Sequence, residues 1–141
     1  MANYTFTAAD ITADASATIK NGTAGDTITA GQAVYLKLDD SRKVWRASKG
    51  AAASAIVAGI ALNSASAGQP VFYCERGIVN VTSGQVAVGA VVVLSTAGGL
   101  SPAADLASGN RVCVVGVGLA SNKILVNCSA NRLISDGTVP A

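Results

Sequence analysis

Any reaction carried out by this chain has to be built without histidine, because the sequence contains none. A Ser-His-Asp or Cys-His nucleophile set is therefore excluded within one chain, and with it the commonest way of activating a hydroxyl or thiol. Asp39 and Asp40 are adjacent carboxylates, but they fall where a hairpin must turn, which is the usual structural place for Asp. A glycosidase-type pair would have to be recruited from Asp39, Glu75, Asp105 and Asp136, and their spacing does not ask for it. "GVG" at 116–118 lacks the third glycine, the following helix and the distal acid of a dinucleotide site, and "DDS" at 39–41 lacks the Gly and terminal Glu of a calcium loop. Cys74, Cys113 and Cys128 show no C-x-x-C spacing and have no His to complete a zinc set. Each lies in an apolar, strand-like run ("VFYCE", "RVCVVGV", "LVNCS"), where a thiol behaves as a small buried hydrophobe. Reduced thiols are expected, with a Cys74–Cys128 bridge as the competing possibility. No catalytic residue, metal or cofactor is expected, and the chain is read as a binding or structural protein rather than an enzyme.

Composition narrows the partners. Charged residues make up 13% of the chain, about half of what is usual for a soluble domain. A surface this neutral is poorly defended against association, which points to coverage by copies of itself or by a partner. The net charge of +2 is too small to make the basic patch that nucleic acid requires, so no nucleic-acid partner is expected. The longest apolar runs, "AVVVL" (90–94) and "AIVAGIAL" (55–62), fall far short of a bilayer span, so no membrane partner is expected either. "MANYTFTAAD" has neither a basic n-region nor an apolar h-region, and it is not read as a secretory signal. On that reading the sequons "NGT" (21–23) and "NCS" (127–129) go unused.

The elements that would position any site are almost all strands. "AGQAVYL" (30–36) aligns with "VGAVVVL" (88–94), "VAGIAL" (57–62) with "VVGVGL" (114–119), and "PVFYC" (70–74) with "ILVNC" (124–128). Such nearly constant spacing indicates an internal duplication of a strand–turn–strand unit, in which neither copy buries its apolar face alone. "VYLKLDDSRKVWRA" predicts a hairpin in which Val34, Leu36 and Leu38 alternate with Tyr35 and Lys37, Asp39 to Ser41 turn, and Val44 and Trp45 begin the return strand. "AIVAGIAL" predicts a strand buried on both faces, with Gly59 at a bulge or close approach. Strands broken at Gly68, Gly77 and Gly84 follow, and "SPAADLASG" predicts one short helix near 102–107 with Ser101 as N-cap and Pro102 at N1.

The predicted organisation is an N-terminal arm (1–28), an all-β barrel or sandwich core (29–128, halves 29–81 and 86–128), and a C-terminal tail (129–141). Within the arm Tyr4 and Phe6 alternate with Thr5 and Thr7 as in a strand, and they are the candidate anchors for pairing with a neighbour's sheet edge. Arg42, Lys43, Arg46 and Lys49 form a basic cluster on the first hairpin. It reads first as a solvated edge that discourages strand-to-strand aggregation, and second as a contact for an acidic partner surface together with Trp45.

The combination "TAGQAVYL", "VAGIALNSASAGQPV", "VGAVVVLSTAGGLSPAADLASG" and "VVGVGLAS" resembles the small capsid decoration, or cement, proteins of tailed bacteriophages over roughly residues 28–128. The resemblance implies a compact β-rich module, barrel-like or "β-tulip", made in the host cytoplasm and assembled as homotrimers on the outer surface of the virion head. It also implies the major capsid protein as partner, with an N-terminal arm that adds a strand to it and stabilises the capsid. A fibre or adhesin module recognising a host glycan or protein is the alternative, for which Tyr35, Trp45 and Tyr73 would serve as contacts.

Overall fold

Pro70–Asn80, strand β6 of the computed structural model, is the longest strand, and the rest of the sheet is organised along it. The structure describes residues 3–49, 54, 56–95, 98–103 and 113–128. Over these the protein is all-β, a curled antiparallel sheet that forms a half-barrel. The other strands are β1 (Thr12–Ala13), β2 (Thr18–Thr23), β3 (Ala33–Lys37), β4 (Lys43–Arg46), β5 (Gly59–Ala61), β7 (Val91–Leu94), β8 (Leu100–Pro102), β9 (Val114–Ala120) and β10 (Lys123–Asn127). They lie in the order β4-β3-β5-β6-β10-β9-β7-β8, with β1 and β2 paired along β6.

That order reads alike from either end. β4-β3-β5-β6 is answered by β8-β7-β9-β10, and the two sets meet where β6 pairs with β10. The register repeats as well. Val34 pairs with Gly59 and Ala33 with Ile60 in the first set, while Val92 pairs with Gly116 and Val91 with Val117 in the second. Residues aligned by the sequence repeat thus occupy the same positions in the ladder. The third block departs from this, because Ile60 faces Cys74 whereas Val117 faces Leu125. The short turn at Ser121 and Asn122 replaces the longer Leu62–Gln69 connection, and loop length fixes hairpin register.

Alternation along β3, β5 and β6 feeds two cores. Ala33, Ile60 and Cys74 point into the larger one with Val79, Leu94 and Ile124, while their neighbours Val34, Ala61 and Tyr73 point into a smaller one with Ile28, Val44 and Val71. The run "AIVAGIAL" is apolar for this reason: Gly59, Ile60 and Ala61 are all buried, on both faces of the sheet.

Four expectations change. Gly77 does not break a strand. It sits inside β6 at φ 121°, where an added Cβ would lie 2.6 Å from Ala17 Cα, so it lets the β1–β2 crossing press against an uninterrupted strand. Leu38 leaves the alternation, because the chain turns through one 3₁₀ turn (Leu38–Asp40) and then Ser41 and Arg42 in left-handed conformation, which leaves Leu38 76% exposed. Ser101 and Pro102 belong to β8 rather than to a helix start, because Val93 and Val92 pair with them. Residues 104–107 of that predicted helix, the tail 129–141 and Ser129 of the second sequon lie outside the described residues. Residues 12–23, expected within a free arm, are built into the sheet as β1 and β2, with Ile11 in the larger core.

Cys74, Cys113 and Cys128 are free and buried in the larger core. Burial pushes the Cys74 thiol from 9.0 up to about 11, and burial together with the neighbouring Cys113 and Cys74 thiols pushes Cys128 up further. A thiolate reagent at pH 8 is therefore expected to find about a hundredfold less Cys74 thiolate in the folded protein than in the unfolded chain. Labelling of all three thiols only on denaturation is the expected result. The stability consequence has a definite sign. Below pH 9 both states keep the thiols protonated and stability is complete; between pH 9 and about 11 the unfolded chain ionises first, so stability falls across that window. Melting curves of the wild type and of Cys74→Ala measured from pH 8 to 11 check this, because removing Cys74 should flatten the decline.

Candidate partner-binding surfaces

Three surfaces bear on binding: the arm, the first hairpin with the groove beside it, and the outer face of the second half of the sheet. The arm is tied to its own body. Tyr4 N–H donates to Leu100 O (2.8 Å), Thr5 N–H to Gln85 Oε1 (2.9 Å) and Thr7 N–H to Thr82 Oγ1 (2.7 Å). The Thr82 hydroxyl in turn donates to Asp10 Oδ2 at 3.0 Å. The Tyr4 and Phe6 rings stack with centroids 5.8 Å apart and pack against the larger core. This alternation therefore sends the two aromatics inward and Thr5 and Thr7 outward. Phe6→Ala is expected to lower stability by about 2 kcal/mol, since a partly buried ring and a stacked pair are lost together. Thermal melts check it, with Thr5→Ala as the neighbouring variant that should change little.

The hairpin divides its basic residues. Arg46 Nε pairs with Asp26 Oδ2 at 2.9 Å, Trp45 Nε1 donates to Asp40 Oδ2 at 2.9 Å, and Lys37 Nζ sits 4.2 Å from the Trp45 ring centroid. Lys43 lies 3.9 Å from Asp40, a loose contact. Arg42 is exposed and has no carboxylate within ion-pair distance among the described residues. Of the four hairpin candidates, Trp45 and Arg46 are thus occupied within the chain, Lys43 is weakly held, and Arg42 is available.

Arg42 borders a groove of about 840 Å³ that the sequence did not reveal, because its walls come from segments far apart in the chain. Lys20 and Glu75, paired at 3.0 Å, stand on adjacent strands β2 and β6, and Tyr35 and Tyr73 come from β3 and β6. Lys20, Glu75 and Arg42 all act electrostatically on the Tyr73 phenol, whose pKa burial raises. Asp39 and Glu75 share this groove, while Asp105 and Asp136 lie outside the described residues.

The third surface is apolar. Ile78, Leu125, Val117 and Val91 are successive cross-strand partners over β6, β10, β9 and β7, and direct partners in antiparallel strands share a face. Leu125 and Val91 are each 42% exposed, and Leu119 and Val88 nearby are 40% and 75% exposed. The stretch 77–104 contains no Asp, Glu, Lys or Arg, and Lys123 is the one charge among the described residues that follow it. Exposed apolar side chains in this second half of the sheet thus have few charges around them. No single stretch carries this row, since its members stand up to about forty-seven positions apart and only register aligns them.

No helix among the described residues is long and apolar enough to cross a membrane. No group of three or more His, Cys, Asp or Glu able to hold a metal occurs among them. Compared with known proteins, the chain matches no family model and no curated protein.

Proposed function

We propose that this protein is a cement protein of a tailed-phage head, binding the outer surface of the shell and tying neighbouring capsomers together. The observation that carries the reading is the apolar row from Ile78 to Val91 across the second half of the sheet, where Lys123 is the one charge among the described residues after Arg76, a surface suited to burial against protein. The resemblance over residues 28–128 supplies the kind of assembly. Copies bind each other through such faces, and the major capsid protein through the arm or hairpin side. Binding follows expansion of the shell, when the sites between capsomers come into existence. Each bound copy then stabilises the assembled state by RT ln(1 + [L]/Kd), and many modest sites sum to a shell that withstands internal DNA pressure.

Co-sedimentation with expanded, undecorated heads tests the reading. Saturation at a fixed number of copies per shell, with a rise in the temperature at which heads rupture, is the expected result. A protein that ignores heads at saturating concentration yet is retained on a glycan array would transfer the assignment to a fibre or adhesin module.

A further inference from the structure

The groove beside the first hairpin has an open strand edge along one wall. In β3, Ala33 O accepts from Ala47 N–H (2.9 Å) on the β4 side, while Val34 O accepts from Ala58 N–H (2.8 Å) on the β5 side. Main-chain groups of an antiparallel strand alternate in direction, so Leu36 faces the β5 side, as Val34 does. β5 begins only at Gly59, and its pairing with β3 stops at Val34. The N–H and C=O of Leu36, a residue of the groove wall, therefore lie past the end of that pairing, on the edge of β3 that β5 does not cover. Strand edges of this kind are templates for an added strand.

The side chains around that edge specify what is added. Arg42 offers an unpaired guanidinium, and neither Tyr35 nor Tyr73 has a side-chain hydrogen bond among the described residues, although both border the groove. Lys20, Lys37 and Arg42 outnumber Asp39 and Glu75 by one charge on its walls (three cations, two anions). At the rim Leu38 and Ile56 are 76% and 52% exposed, surface that aliphatic side chains cover well and that a sugar ring does not. A groove of this size takes a few residues of extended chain.

We infer that this groove binds an extended acidic peptide segment of a partner protein, added as a short strand at Leu36, with a carboxylate held by Arg42 and aliphatic side chains on Leu38 and Ile56. Tyr35 and Tyr73 supply further donors to the same carboxylate. The inference names the partner chemistry for the hairpin side of the proposed function and rests on the protein being a protein-binding module. It does not require that the partner be a viral shell.

The test is fluorescence anisotropy on the full chain with labelled synthetic peptides. The probes are a short peptide alternating valine and glutamate, its valine and glutamine counterpart, and the acidic peptide N-methylated at alternate residues. The acidic peptide is expected to bind about tenfold more tightly than the neutral one, and Arg42→Ala to remove most of that difference, as loss of one charge-assisted contact would. N-methylation should abolish binding, because it blocks the strand edge without touching the protein. Equal binding of acidic and neutral peptides, or of the methylated peptide, would overturn the inference. So would preferential binding of an acidic oligosaccharide, which would give the groove to a glycan, or a concentration-dependent mass lost in Arg42→Ala, which would give it to a second copy. Peptide binding by a protein that does not bind heads would leave the groove assignment standing and remove the cement reading alone.

Discussion

Gly116→Ala is expected to lower the melting temperature by about 10 °C. An added Cβ would run into the Leu125 carbonyl oxygen, with Leu125 C at 2.9 Å and Val126 Cα at 3.1 Å. These are main-chain atoms of the partner strand β10, so no rotamer change makes room, and the β9–β10 pair has to separate. Overpacking of this kind costs about 3 kcal/mol when the backbone must move, and each kcal/mol lowers the midpoint of a domain this size by about 3–4 °C. The position aligned with it by the repeat, Gly59, meets Cys74 O at 2.5 Å, so Gly59→Ala is expected to act in the same direction. A melt of Gly116→Ala within about 2 °C of wild type would mean that β9 and β10 are not held at this separation.

That pair of glycines also shows how far the sequence could be read. Gly59 and Gly116 were legible as points of close approach because a glycine inside an apolar strand run has little other use. The all-β class was legible from turn residues between short apolar runs. The hairpin at 34–46 was legible from alternation, up to the point where the chain abandons it. Leu38 fits the alternating pattern and yet stands in solvent, because the turn needs Ser41 and Arg42 in left-handed conformation and takes Leu38–Asp40 with it. Pattern along the chain cannot report that geometry.

The binding surfaces were less legible for a different reason. Tyr4 and Phe6 could be recognised as a two-residue alternation, but whether they face a partner or their own core depends on Leu100, Gln85 and Thr82, more than seventy positions away. Arg42 could be grouped with its basic neighbours, but its availability follows from Asp26 and Asp40 engaging the others. The groove itself joins β2, β3 and β6, and nothing local in any of them announces it. Residues become a site here through strand register, which is a property of pairs.

The strongest functional consequence of that register is expected at Leu125. Replacing it by Glu puts a carboxylate in the middle of the apolar row, directly across from Ile78 on one side and Val117 on the other. Leu125 is 42% exposed in the single chain, so the charge stays hydrated there and the fold should keep its melting temperature within a few degrees. In an assembly that buries this face, the same charge loses its water in every copy at once, and Lys123, the one cation on its strand, is already engaged by Asn80 Oδ1. Burying an unpaired carboxylate costs at least several kcal/mol per copy, enough to shift an association constant by a factor of about a thousand or more. Light scattering is therefore expected to show an oligomer for the wild type and a monomer for Leu125→Glu, with decoration of heads lost alongside. Lys20→Glu, which alters charge on the other half of the sheet, should leave the oligomer intact. If Leu125→Glu keeps the wild-type mass, this face is not where copies meet. A loss of mass with equal loss of melting temperature would instead make the row part of the fold's own stability and leave the chain without an assigned contact between copies.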